Sequence, residues 1–265
     1  MAASISPSID HLEQTWKSLD ALLASLDAAD WKTPTGCPGW TVQDNVTHLI
    51  DYESRAIGWP APEHKPADLS HTKNKLGESN EIGVDARRPL DGEHVLAEFR
   101  EVTAARLVQL RALAPDDLAR EVTTPAGPGT IADMLTLRVM DTWSHEQDIR
   151  RAVGKPGHDS GPVVDETVRY FARFLPLLCG KRAGMTDGQT AQFDLPPVGQ
   201  FGIEVHDGRA ALTDSLSGTP TVTLAMPATT FAALACGRSD APSDYTIAGD
   251  RGLGEKIISV LGFMP

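Results

Sequence analysis

Side chains that could bind a metal ion share one face of a predicted helix near the middle of the chain. The segment GTIADMLTLRVM has the pattern of a helix with one buried face, and it continues into DTWSHEQDIR, where Asp141, His145 and Asp148 replace apolar residues. Residues four apart lie one above the other on a helix, so Asp141 and His145 could bind one ion together. The same spacing also fits a local hydrogen bond on a solvated face, and spacing alone leaves both interpretations open.

A third candidate ligand lies on an earlier helix. Thr41 is a typical N-cap, and the helix predicted after it carries His48 near its middle, at the edge of the apolar face. If the two helices face each other, His48, Asp141 and His145 supply two imidazoles and one carboxylate. Catalytic zinc sites with an open position use this ligand set, and so do facial-triad iron sites.

Asp148 lies one turn beyond His145 and has alternative partners. Its carboxylate could accept a hydrogen bond from the imidazole N–H that a metal does not use, or it could pair with Arg151 or Arg55. The remaining histidines fall in loops, turns or exposed helical positions, and we expect none of them to have a carboxylate or histidine partner on an inward face. They are His11, His64, His71, His94, His158 and His206.

Amphipathic helices dominate the first half of the chain. Apolar residues recur at helical spacing in SIDHLEQTWKSLDALLASL, VQDNVTHLIDYESRAIG, DGEHVLAEFREVTAARLVQLRALA and from about Thr130 to Val153. Between Trp59 and about Pro89 the sequence is polar and interrupted by prolines, which predicts one long connection. PAGPGT could present N–H groups to an anion, although a turn with Thr130 as N-cap also explains it. Four helices with one long crossover predict a helix bundle.

The second half changes to the pattern of a mixed domain. QFDL, FGIEV, GRAALTD and TVTLAMP are predicted strands, and HDGR between two of them predicts a type I′ hairpin. Helices are predicted in VVDETVRYFARFLPLL, in PATTFAALACG with Gly237 as its stop, and in GLGEKIISVLGF. The Gly, Pro and Ser content of KPGHDSGP, residues 155 to 162, predicts a domain boundary there.

Composition excludes several classes of protein. The 265 residues carry a formal net charge of -12, which disfavours nucleic acid and anionic membrane surfaces as partners. No apolar run approaches the ~20 residues that span a bilayer, and the N-terminal segment lacks a signal-peptide pattern, so we expect a soluble cytoplasmic protein. The three cysteines follow no CxxC spacing, so neither a disulfide framework nor a thiolate zinc site is indicated. P-loop, GxGxxG, GxSxG and HExxH motifs are absent.

Three stretches of the chain carry a family resemblance. WKTPTGCPGWTVQDNVTHLIDYE resembles the signature of the mycothiol-dependent maleylpyruvate isomerase family, and DTWSHEQDIRRAVG resembles its second metal motif. The C-terminal sequence from LSGTPTVTLAMPATTFAALACGR to TIAGDRGLGEKIISVLGFMP is similar to the sterol-carrier-like domain of that family. The resemblance implies an α+β protein with two domains: a DinB-like, metal-binding four-helix bundle in residues 1–157 and a sterol-carrier-like α/β domain in residues 158–265.

The resemblance also implies which residues bind the metal. The first metal-binding histidine of the family matches His48, and its acid-x-x-x-His pair matches Asp141 and His145. Better-known members carry glutamate where this chain has Asp141. Because aspartate is one methylene shorter, the metal must lie closer to that helix or bind less tightly. Zinc is the first expectation for the divalent ion, and nickel, iron and manganese also suit two imidazoles and a carboxylate.

The family's chemistry joins a metal to a thiol. A metal-bound thiol loses its proton and becomes the reactive thiolate. The thiol implied is mycothiol, and the thiolate would add to an electrophilic small molecule, giving isomerisation about a double bond or a stable S-conjugate. Arg55 and Arg138 are candidates to orient a substrate carboxylate, although surface ion pairs explain them equally well. The sequence identifies no further catalytic acid or base, and it is compatible with a monomer or a homodimer.

Two other classes of function compete with an enzyme. The chain could be a non-catalytic protein that binds a small molecule or lipid, with a structural or lost metal site, or a regulatory protein that uses the fold without chemistry. Asp141 in place of glutamate keeps the binding-protein interpretation open.

Overall fold

Two compact units make up the part of the chain that the structure describes, which is residues 5–213 and 215–264 of a computed structural model. The first unit ends at His158 and the second begins at Asp159. Helices dominate the first unit, and a five-stranded sheet with flanking helices forms the second. The predicted α+β fold class is therefore confirmed. None of the helices in the described residues is long and apolar enough to cross a membrane.

Long helices build the first unit around one apolar core. Helix α1 packs against α4 and α5, and α2 packs against α3, α4 and α5. The elements are α1 Pro7–Leu23, α2 Val42–Ala56, α3 Lys75–Arg87, α4 Gly92–Arg111, β1 Glu121–Thr124, β2 Gly127–Thr130 and α5 Ile131–Ala152. The four helices predicted from periodicity are α1, α2, α4 and α5, and all four are present.

Capping boxes begin the two helices that carry the candidate ligands. The Thr41 side chain accepts from the Asp44 N–H, and the Asp44 carboxylate accepts from the Thr41 N–H in return. Thr130 and Asp133 make the same pair of bonds at the start of α5. Both predicted N-caps are thus confirmed, and each helix starts at a fixed residue. The turn expected before α5 belongs to a small antiparallel hairpin of β1 and β2.

Helix α3 corrects the prediction of one long connection from Trp59 to about Pro89. Asn74 caps this helix by accepting from the Gly77 N–H at 2.9 Å. The helix buries only Glu81, Gly83 and Val84, so it has no apolar stripe that periodicity could reveal. At Gly83 it approaches α2 so closely that a Cβ atom would clash with the side chain of Asp51. The connection is therefore limited to residues 59–74.

A mixed five-stranded sheet forms the centre of the second unit. Its strand order is β5-β4-β3-β6-β7, with β3 and β6 parallel and the other neighbours antiparallel. The elements are α6 Pro162–Ala172, a π-helical segment Leu177–Arg182, β3 Thr190–Leu195, β4 Gly199–His206, β5 Arg209–Thr213, β6 Val222–Ala225, α7 Ala228–Ala235, β7 Thr246–Gly249 and α8 Arg251–Ser259. Asp207 and Gly208 both have positive φ at the turn between β4 and β5, which confirms the predicted hairpin.

Candidate metal centre

The candidate metal centre lies between α2 and α5, inside the first unit. His48 projects from the middle of α2, and Asp141 and His145 project from consecutive turns of α5. One possible ligand atom from each of the three side chains lies within 4.8 Å of the other two. The structure thus brings together the three residues that the sequence predicted as ligands, although 93 or more positions along the chain separate His48 from the other two.

The separations between these side chains suit a metal ion. Nε2 of His48 is 3.4 Å from Oδ2 of Asp141, and Nε2 of His145 is 3.6 Å from Oδ1 of the same carboxylate. Ligand atoms about 2.1 Å from one tetrahedral ion are roughly 3.4 Å apart. Both imidazole side chains are almost fully buried, whereas the Asp141 side chain is 24% exposed. Solvent therefore reaches the centre along its carboxylate edge, and the shorter acid is able to approach both imidazoles.

The electrostatic environment favours the forms of these side chains that bind metals. Burial by itself would raise the pKa of Asp141, but the positive charge of Arg138 holds that pKa well below its usual value. Burial lowers the pKa of His48. A metal requires an ionised carboxylate and a neutral imidazole. Both shifts therefore favour the metal-binding forms of the Asp141 and His48 side chains.

Asn45 orients the His145 imidazole, a role that was not predicted from the sequence. Nδ1 of His145 is 2.7 Å from Oδ1 of Asn45. The Asn45 amide nitrogen donates to Oγ1 of Thr35 and to the carbonyl of Thr41, at 3.0 and 2.8 Å. The amide oxygen must then face the imidazole, which places the ring proton on Nδ1 and leaves the Nε2 lone pair for a metal.

Asp148 contributes less to this orientation than Asn45 does. Its Oδ2 is 3.5 Å from Nδ1 of His145, whereas its Oδ1 is 2.5 Å from the Arg151 guanidinium. Of the partners expected for Asp148, Arg151 is therefore the closer. The amide of Asn45 lies nearer to the imidazole than this carboxylate does.

Replacing Asn45 with alanine should weaken metal binding by about 10- to 100-fold, the usual effect of losing the partner that orients a ligand. The expected cause is loss of the single tautomer of His145, and a titration with zinc against a competing chelator measures it. Thr47→Val is a matched control, because it removes another buried side-chain hydrogen bond of α2, from Oγ1 to the Asp44 carbonyl. Equal losses in the two variants would contradict the orienting role of Asn45.

The Arg138 guanidinium donates hydrogen bonds to two protein carboxylates. Its Nη1 donates to Oδ2 of Asp141 at 2.6 Å and its Nε donates to Oε1 of Glu53 at 2.8 Å, with the side chain 2% exposed. Glu53 also accepts from Nε of Arg106 at 3.1 Å. The four groups form a chain of alternating charge that ends at the candidate ligand, and its two middle members, Glu53 and Arg138, are buried. This geometry favours orientation of Asp141 over the substrate contact predicted for Arg138, and that contact stays a prediction.

Arg55, the other predicted substrate contact, lies farther along α2. Its Nη2 pairs with Oδ2 of Asp51 at 2.9 Å, and 37% of its side chain is exposed. Nothing in these contacts directs it toward the three candidate ligands. Its predicted role stays a prediction, and the ion pair weighed as the alternative is present.

Trp40 forms an aromatic wall of the centre. Its ring centroid is 5.1 Å from that of His48 and 5.7 Å from that of His145, and the two imidazoles are 4.9 Å apart. The indole comes from the turn CPGW, directly before the cap of α2. Its bulk excludes water on this side and restricts rotation of both imidazole rings. The sequence offered one signal for Trp40, which is its position next to the N-cap of a ligand helix.

Two histidines outside the centre contradict the expectation that they lack an inward carboxylate partner. Nδ1 of His158 is 2.8 Å from Oε2 of Glu146, and Nε2 of His71 is 3.1 Å from Oε2 of Glu81. Both glutamates are completely buried. The expectation failed because a glutamate within a helix is usually exposed, and its burial here depends on tertiary packing.

One family model and two known proteins are similar in sequence to the chain. A family model described as the mycothiol maleylpyruvate isomerase N-terminal domain matches residues 12–150, which include all three candidate ligands. Two proteins described as uncharacterized, from Mycobacterium tuberculosis strains CDC 1551 / Oshkosh and ATCC 25618 / H37Rv, are each 30% identical to the chain over 154 residues. This match spans 57% of the chain and 58% of each relative.

Solved structures share the fold of the chain. The crystal structure of the mycothiol-dependent maleylpyruvate isomerase is similar with a TM-score of 0.60 and 16% identity, over 93% of both chains. A structure of that isomerase with one histidine mutated to alanine gives a TM-score of 0.56 at the same identity and coverage. At this identity the likeness concerns the fold, which extends over both units.

Proposed function

Since the chain belongs to the mycothiol maleylpyruvate isomerase family through its N-terminal domain, we propose that it is a metal-dependent enzyme with mycothiol as its thiol cosubstrate. The observation that carries the proposal is the convergence of His48, Asp141 and His145 at distances suited to one ion. Three protein ligands would leave one coordination position of a zinc ion open, as catalytic sites require. The proposed compartment is the cytoplasm, where a thiol cosubstrate stays reduced.

The donor atoms of the centre fit a divalent ion. Two imidazole nitrogens and one carboxylate oxygen suit zinc, which is the ion we propose. When bound, the ion lowers the pKa of a thiol and stabilises the thiolate. Arg138 donates to Oδ2 of Asp141, so Oδ1 is the oxygen of this carboxylate that would be more available to an ion. The exposed edge at Asp141 is the proposed entry for thiol and substrate.

The proposed reaction begins with addition of the mycothiol sulfur to a double bond conjugated with a carbonyl. A C–S bond forms, and the electron pair of the double bond moves to the carbonyl oxygen. Rotation about the resulting single bond, return of the electron pair and departure of the thiolate restore the double bond with the opposite geometry. If a proton is added to carbon before the thiolate leaves, a stable S-conjugate is the product. Isomerase and S-transferase activities therefore share their first step.

An activity assay tests the proposal. Zinc-loaded protein should isomerise maleylpyruvate, or conjugate another conjugated carbonyl compound, only when mycothiol is present. Asp141→Ala should lower the rate by at least about 100-fold, because metal stabilisation of the reacting charge contributes several kcal/mol. Turnover that persists without mycothiol, after chelation or in Asp141→Ala would contradict the proposal. Stoichiometric ligand binding by a folded, metal-free protein without turnover would support a binding protein instead.

A further inference from the structure

The buried Glu81 carboxylate of α3 is the centre of a polar network that the proposed mechanism does not use. Its Oε2 accepts from Nε1 of Trp40 at 3.0 Å and lies 3.1 Å from Nε2 of His71. Its Oε1 pairs with the Arg88 guanidinium at 2.5 Å. Glu81 is completely buried, and a buried carboxylate is costly unless it is paired in this way. Its three partners come from three different parts of the first unit.

Trp40 connects this network to the candidate ligands. Its indole has a single N–H donor, and that donor is bound to Glu81. Its ring packs against His48 and His145. A buried indole N–H usually has a hydrogen-bond partner, and such a bond restricts rotation of the ring about its side-chain bonds. The Glu81 carboxylate therefore restrains the orientation of the indole against the two imidazoles.

His71 connects the same carboxylate to the segment 59–74. The imidazole of His71 packs over Gly39, where an added Cβ would lie 2.5 Å from Cγ of His71. Gly39 has a φ of +78° and directly precedes Trp40. The segment thus touches the turn that presents the indole, and it shares Glu81 with that indole.

A second contact holds the same segment on α3. Nε2 of His64 is 2.7 Å from Oδ2 of Asp85, and the Ala67 N–H donates to the same oxygen at 3.1 Å. The hydrogen bond with His64 is the main cause that lowers the pKa of Asp85 to about 2. Asp85 lies one turn after Glu81 on α3. The segment is therefore fixed to α3 at two points, and only the point at Glu81 reaches the indole.

We propose that Glu81 is a positioning residue of the candidate metal centre. Its carboxylate holds Trp40 against the two imidazoles through the hydrogen bond from the indole. His71 of the segment 59–74 contacts the same carboxylate and supports this arrangement. The inference rests on the proposed function only for the statement that the imidazoles bind a metal. Loss of the hydrogen bond between Trp40 and Glu81 leaves the three ligands in place and lets the two imidazole rings rotate. Metal release should then become faster while the number of bound ions stays the same.

Zinc release to an excess of chelator measures the effect. Trp40→Phe removes the N–H donor and keeps an aromatic ring, and Glu81→Leu removes the acceptor. Each change should speed zinc release by about tenfold, the lower end of the effect of losing a residue that orients a metal ligand. The double variant should release zinc no faster than either single variant, because both changes remove the same hydrogen bond between residues 40 and 81. Glu81→Gln keeps an acceptor for the indole, so it should restore slow release, and it replaces Glu81→Leu if that variant does not fold.

Metal-free protein gives an independent readout. Long-range 1H–15N NMR of the histidine rings should show one tautomer of His145 in the wild-type protein and exchange broadening at His48 and His145 in both Trp40→Phe and Glu81→Leu. Release rates within twofold of wild type, effects that multiply in the double variant, or unchanged histidine spectra would overturn the positioning role. A wild-type protein that binds no zinc would contradict the proposed function, and the NMR result would still decide the role of Glu81.

Discussion

Replacing His145 with alanine should remove the bound metal and leave the first unit folded. The change deletes one of three ligands, so the affinity should fall by more than the roughly 100-fold that an outer partner costs. Many apolar residues hold α5 in the core, among them Leu135, Val139 and Trp143. We therefore expect the free energy of unfolding to fall by only about 1–3 kcal/mol. Metal content by mass spectrometry and urea unfolding followed by circular dichroism measure the two effects.

A histidine away from the centre is the control for this variant. His94 is exposed on α4 and pairs with Asp91 of its own helix cap, so His94→Ala should keep both the metal and the stability. Stoichiometric metal in His145→Ala would show that the ion binds elsewhere. A variant that loses its metal because it has unfolded would show that α5 depends on the imidazole, against our expectation.

Replacing Arg138 with methionine should destabilise the first unit more than loss of the His145 imidazole does. Glu53 would keep Arg106 as a partner, and Asp141 would lose the hydrogen bond from Arg138. Removing one member of a buried ion pair typically costs about 3–5 kcal/mol, because the remaining charge stays buried. The retained pair with Arg106 places the expected loss near the lower end of that range. Urea unfolding of metal-free protein measures it without a contribution from the ion.

The double variant Arg138→Met with Glu53→Met separates the loss of the ion pair itself from the cost of leaving the Glu53 charge buried with fewer partners. Removing both members of a buried pair often costs little, so the double variant should recover part of the stability that Arg138→Met loses. Arg106→Met is the matched single change at the outer end of the chain of charges, and it should cost less because Glu53 keeps its bond to Arg138. A loss below about 1 kcal/mol in Arg138→Met would contradict the account of a buried ion pair between Arg138 and Glu53.

Local signals in the sequence were sufficient for most of the fold. The long helices have apolar stripes and polar N-caps, and the Asp207–Gly208 hairpin has the residues that its turn requires. Helix α3 was not predicted because its buried side includes Glu81 and Gly83, neither of which adds to an apolar stripe. Strand β7 was not predicted because TIAG is short and mostly exposed. In both cases packing against a neighbour stabilises an element that its own sequence does not indicate.

The candidate site was predictable only in its ligands. Asp141 and His145 show the spacing of a pair on one helix, and the resemblance added support for His48. Asn45 orients His145 across the contact between α2 and α5. Arg138 donates to Asp141 within α5 and is itself held by Glu53 of α2. No local pattern in the sequence marks the contacts between the two helices. The sequence placed Arg138 correctly on a ligand helix, but it could not show that Glu53 is buried beside it.

Addition of mycothiol to cobalt-loaded protein tests the central claim most directly, because cobalt replaces zinc at such sites and its absorption reports its ligands. We predict a near-ultraviolet sulfur-to-cobalt charge-transfer band that saturates at one thiol for each protein. The band should be absent from His48→Ala and Asp141→Ala. Wild-type protein that binds no cobalt, or bound cobalt whose spectrum does not change when mycothiol is added, would contradict a centre that activates the thiol.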